Sequence, residues 1–137
     1  MPVANERVLS EMISILNMLP NERFSGIKSE NDETGFREAI RQYIKPFFLA
    51  LDDNSQNICR DSLRYFLATD CISFEDILAE QQDSNLPEPA NSRDFFLWLW
   101  QELFPGVVLE IGDDSSWKRK DEYGVLRLKF FPEEIFE

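Results

Sequence analysis

The chain has 137 residues and a net charge of −12, from 26 acidic and 14 basic residues, and it contains no histidine. This length suits one domain with a real core, and a 43% hydrophobic content with twelve Phe excludes a disordered acidic tail. The absence of histidine removes the commonest general base and metal ligand, which weighs against most enzyme classes.

Val8, Leu9, Met12, Ile13, Leu16 and Leu19 recur at helical spacing, predicting an amphipathic helix over about residues 5–19 that Pro20 ends. Residues 21–35 are polar and read as a loop. Phe36, Ile40, Tyr43, Ile44, Phe47, Phe48 and Leu51 mark one face of a second helix, which Pro46 must kink or divide. A turn at residues 52–55 offers N-caps to a third helix over about residues 55–69, whose apolar face holds Ile58, Cys59, Leu63, Phe66 and Leu67. Ser73-Phe74-Glu75-Asp76 has the pattern of a capping box ahead of a short fourth helix with Ile77 and Leu78.

Pro87 and Pro89 make residues 83–90 a turn or an extended link. Asn91 or Ser92 then caps a fifth helix, in which Phe95, Phe96, Leu97, Trp98, Leu99, Trp100, Leu103 and Phe104 cover nearly the whole circumference. A helix of that kind is central or lends one face to a partner. Pro105-Gly106 stops it, and two runs rich in β-branched and apolar residues follow, 107–111 and 125–131. Residues 112–124 form one long loop or hold a middle strand near Trp117–Lys120 that closes a meander. The expected architecture is α+β in a single domain over residues 1–137. About five helices occupy residues 5–104, and a small antiparallel sheet of two or three strands occupies 107–131. Phe36, Ile44, Phe47, Leu63, Phe66, Leu97 and Leu126 are expected in the core.

The charge is not evenly spread. Between Asp70 and Trp117 stand Asp70, Glu75, Asp76, Glu80, Asp83, Glu88, Asp94, Glu102, Glu110, Asp113 and Asp114 against Arg93 alone, so this segment carries −10 of the −12. Such a field repels nucleic acid and anionic membrane and attracts basic protein surfaces. The basic cluster Lys118-Arg119-Lys120 is too small for a nucleic-acid footprint and lies beside acids that neutralise it.

Motifs for chemistry are missing. Glu30, Asp32, Thr34 and Gly35 echo a calcium loop, but the closing position is Arg41, where a bidentate carboxylate belongs. Zinc would have to rely on Cys59 and Cys71, twelve positions apart with no C-x-x-C pair, and neither cofactor nor metal is expected. Both cysteines read as reduced structural thiols. No G-x-S-x-G or phosphate-binding glycine loop occurs, so no catalytic residue is assigned and the chain is read as a non-enzyme. The start lacks an export signal and no apolar run approaches membrane-spanning length, so a cytoplasmic location is expected.

These features point to an acidic binding protein that captures a basic protein, with Glu75, Asp76, Glu80, Asp113, Asp114 and an exposed Trp117 as the expected partner-binding residues. In charge and lack of catalytic groups, the chain resembles the bacterial immunity proteins that neutralise nuclease toxins by covering their active sites. A nuclease must present positive charge to phosphate, so a matching negative face is steered to it. The alternatives are an adaptor or homodimer built on the apolar fifth helix, and a DNA-mimic inhibitor.

Overall fold

The structure, a computed structural model, describes residues 2–81 and 85–130. It is α+β: a short strand β1 (Val3–Asn5) leads into α1 (Glu6–Ile13). A kinked helical run follows, α2 (Glu33–Ala39), a π-helical turn (Ile40–Ile44) and α3 (Lys45–Leu49). Then come the long α4 (Asp53–Thr69), the short α5 (Phe74–Ala79), α6 (Ser92–Leu103) and a second strand, β2 (Lys118–Lys120).

Helix starts follow the local chemistry. Side chains of Asn5, Asp32, Asp52, Ser73 and Asn91 each accept a hydrogen bond from a first-turn amide of α1, α2, α4, α5 and α6. Gly35 is required in α2 because a Cβ there would lie 2.5 Å from the capping carboxylate of Asp32. Pro46, which has no amide hydrogen, divides the second helix as expected. The register widens just ahead of it, Lys45 N–H reaching back to the Ile40 carbonyl, so the chain absorbs the proline without leaving the helix. The first helix is shorter than expected: after Ile13 it tightens into a 3-10 turn, Ser14–Met18. The expected loop of residues 21–35 contains a further 3-10 turn, Asn21–Phe24, and the start of α2.

The sheet corrects the sequence-based expectation. It is two-stranded and parallel, with Val3 opposite Lys118 and Asn5 opposite Lys120, not an antiparallel meander. Parallel strands need a long crossover, and here the whole helical body supplies it. Residues 107–111 form no ladder: Val107 and Val108 are exposed, while Leu109 and Ile111 pack against the core edge. Of the other expected strand, residues 125–130 make one antiparallel bridge, Leu128 to Leu51, and Phe131 lies outside the described residues. Asp52 N–H to the Arg127 carbonyl and Lys129 N–H to the Ala50 carbonyl (both 2.8 Å) make that bridge, and Arg127 N–H donates to Ser55 Oγ (2.8 Å) instead of extending a ladder.

The buried apolar residues form one cluster running through α1, α2, α4, α5 and α6. Phe36, Ile44, Leu63 and Phe66 lie in it, whereas Phe47, Leu97 and Leu126 only flank it, half-buried. The fifth helix of the sequence reading, α6, is central: Phe95, Phe96, Leu99 and Trp100 are buried, and half-buried Trp98 stacks on Phe36 at 5.9 Å. Cys59 is buried, and burial pushes its thiol pKa up. Cys71 departs from the structural-thiol expectation by being exposed, with Thr69 Oγ1 3.1 Å from its Sγ.

Asn5 joins four parts of the fold. It is 2% exposed; its N–H donates to Ser62 Oγ of α4 (2.9 Å), and its Oδ1 accepts from Arg7 N–H and Glu122 N–H (both 3.1 Å). Its Nδ2 donates to the Glu122 carbonyl (3.0 Å). Asn5→Ala removes a helix cap and both side-chain bonds to the Glu122 backbone, and it is expected to cost about 1–3 kcal/mol in urea denaturation. Ellman's reagent should titrate Cys71 rapidly in the native protein and Cys59 only after unfolding; equal native rates would contradict the burial of Cys59.

Candidate functional site

The sequence-predicted binding residues fall into two groups around the C-terminal end of α4. In the first, Asp113 caps the 3-10 turn Asp114–Ser116, accepting from Ser115 N–H (3.0 Å) and Ser115 Oγ (2.9 Å). The backbone amide, then the hydroxyl, holds its carboxyl below the usual range. Asp114 faces the Tyr65 hydroxyl of α4, and this contact first, then burial, raises the Tyr65 pKa to about 12. Trp117 lies tilted against the Tyr65 ring, centroids 5.3 Å apart, and its Nε1–H donates to the Ile111 carbonyl (2.8 Å). Trp117 is therefore half-buried with its polar atom satisfied, not the freely exposed anchor expected.

The second group is on α5. Glu75 and Asp76 are exposed in its first turn and meet no basic side chain among the described residues. Glu80 differs, because Arg7 bonds both Glu80 and Asp121 and so ties α5 to the segment after β2. The end of α4 and its turn into α5 connect the two groups along the chain. Thr69 Oγ1 donates to the Tyr65 carbonyl (2.9 Å) and contacts Cys71, and four residues of chain, at most roughly 14 Å, separate Cys71 from Glu75.

The acidic segment remains largely unneutralised. Its single base, Arg93, is committed to the end of α4, donating to the Leu67 carbonyl (2.7 Å) and pairing with Asp70 (3.4 Å). Glu102 pairs with Arg37 and Arg41. Among the described residues, Glu75, Asp76, Glu88, Asp94, Glu110, Asp113 and Asp114 are exposed and have no ion pair; Asp83 lies outside those residues. Two members of the basic cluster have local partners, Arg119 over the Phe66 ring at 5.6 Å and Lys120 3.9 Å from Glu122, while Lys118 is exposed.

Sequence reasoning missed a groove of about 420 Å³ beside α5. Ile13 and Leu16 line one side, Glu75, Leu78 and Ala79 of α5 another, and Leu86, Pro87, Glu88 and Pro89 a third. The proline alternation was legible as an extended link, but its closeness to α1 was not. The echo of a calcium loop at residues 30–35 has another role here: Asp32 accepts from Lys28 N–H (2.9 Å) and Gly35 N–H (3.1 Å) and caps α2. Among the described residues, no group of three His, Cys, Asp or Glu could hold a metal ion, and no helix is long and apolar enough to cross a membrane. Comparison with protein families, with curated proteins and with solved structures returns no match to this chain.

The Tyr65–Asp114 contact makes a prediction about alkaline pH. A raised folded-state pKa contributes stability that is present below the ordinary tyrosine value of about 10 and is lost as pH rises through the folded value. In Asp114→Ala the Tyr65 transition, followed by phenolate absorbance, should fall from about 12 towards the ordinary range. An unmoved transition would show that Asp114 is not its cause.

Proposed function

We propose that this chain is a binding protein that captures a basic protein through the acidic surface formed by α5 and the Asp113–Trp117 turn. The partner class that fits best is a nuclease, held in the manner of an immunity protein that covers a toxin's active site. The observation that carries the reading is the set of exposed, unpaired carboxylates in residues 70–117, whose one basic residue is committed to the end of α4. Asp113 and Asp114 also serve the local turn and Tyr65, but Glu75, Asp76, Glu88, Asp94 and Glu110 have no ion pair among the described residues. Left unpaired, they steer a positively charged surface towards the molecule and speed association.

The adaptor reading loses support, because it needs an apolar face on α6 and that helix buries Phe95, Phe96, Leu99 and Trp100 in the core. No specific feature favours a DNA mimic over capture of a nuclease.

The test is retention of host proteins on the immobilised chain in low and high salt, for wild type and for Glu75→Lys/Asp76→Lys/Asp113→Lys/Asp114→Lys. Nuclease activity of the retained fraction is then assayed with and without added chain. We expect a basic nuclease, inhibited by wild type, whose association at low salt is at least about tenfold slower with the charge-reversed variant. Retention that is indifferent to both salt and charge reversal would refute electrostatic capture. An uninhibited retained nuclease would refute the immunity role.

A further inference from the structure

We propose that the groove between the end of α1, α5 and the Leu86–Pro89 strap receives an arginine side chain of the basic partner. This rests on the capture reading above and assigns a particular place where the partner is held.

The groove offers one kind of chemistry. Its apolar lining comes from Ile13, Leu16, Leu78, Leu86 and the two prolines. Gln81, the one amide side chain among its described lining residues, is already used: its Nε2 donates to the Ser10 carbonyl (3.1 Å) and Ser10 Oγ (2.6 Å), and its Oε1 accepts from Asn17 Nδ2 (2.6 Å). Pro87 and Pro89 have no amide hydrogen to give. Among the described lining residues, the side-chain polar groups left uncommitted are the carboxylates of Glu75 and Glu88, which come from different segments and have no ion pair. An occupant must therefore bring apolar contact and positive charge together.

An arginine does this best. Its methylene stem lies along apolar surface while its head stays polar, and the planar guanidinium has five donors, enough to serve two carboxylates at once. A lysine ammonium is more strongly hydrated and presents a point charge. The site is also held open before binding. Asn85 Nδ2 donates to the Leu19 carbonyl (3.1 Å) and Ala90 N–H to the Glu30 carbonyl (2.9 Å), anchoring the strap at both ends. A groove fixed in this way loses less freedom when it is filled.

The test is an NMR titration of isotope-labelled chain with the peptide N-acetyl-Leu-Arg-Leu-amide and with its citrulline counterpart, a neutral isostere. Amide shifts at Leu78, Ala79, Leu86 and Glu88 are expected with the arginine peptide, which should bind about tenfold more tightly than the citrulline peptide. Ala79→Trp fills the groove from an exposed position, and Glu75→Gln/Glu88→Gln removes its charge; each should abolish the arginine preference. Absent shifts, shifts elsewhere, or equal affinity for the two peptides would overturn the inference. Retention indifferent to salt and charge reversal would instead mark failure of the wider reading. If Ala79→Trp still retains the basic partner while charge reversal at Asp113 and Asp114 releases it, electrostatic capture stands and the arginine groove falls.

Discussion

The architecture depends on the buried side chain of Asn5. An Asn in that place has to satisfy its own amide and carbonyl oxygen away from water, and leaving either unmet would cost more than the bonds contribute. It meets the requirement by bonding α1, α4 and the chain after β2 together. The register of the parallel strands follows, since Asn5 stands opposite Lys120, two residues before the Glu122 backbone that its side chain holds. From that register follow the place of the Asp113–Trp117 turn beside Tyr65 and of Asp121 within reach of Arg7. A polar residue near the N-terminus thus helps to position the acidic turn at Asp113–Trp117, far along the chain.

The charge distribution is consistent with a surface made for encounter. Acids that serve the fold are recognisable by their bonds: Asp32 and Asp52 cap helices, Glu102 joins α6 to the kinked helix through Arg37 and Arg41, and Glu80 meets Arg7. The carboxylates of α5's first turn and of the strap have no such role. Their mutual repulsion is screened over about 8 Å at physiological ionic strength, so the fold tolerates them at modest cost while the field they make still reaches an approaching partner. The groove between them adds shape to that charge. Charge alone sets how fast a partner arrives, whereas a desolvated side chain in a preformed groove sets how long it stays.

The sequence by itself determined what local chemistry decides: helix starts, because a capping side chain and the amides it serves are at most three residues apart, as at Asn91 and Ser73; the division of the second helix at Pro46; the apolar faces that became the core; and the concentration of acid in residues 70–117. Pairing across long separations was decided only by the tertiary structure. Alternation in residues 125–131 and β-branching in 107–111 say that a segment suits a strand, not which edge is free to receive it. The free edge was β1, more than a hundred residues away, and it took Lys118–Lys120 in parallel. Likewise, a count of charges fixes the total field, but which carboxylates remain unpaired depends on where Arg7 and Arg93 arrive, and the groove exists only because α1, α5 and the proline strap converge. Those outcomes belong to the packed chain, since the groups that satisfy each other are distant in sequence and are brought together only when burial of the core fixes their places.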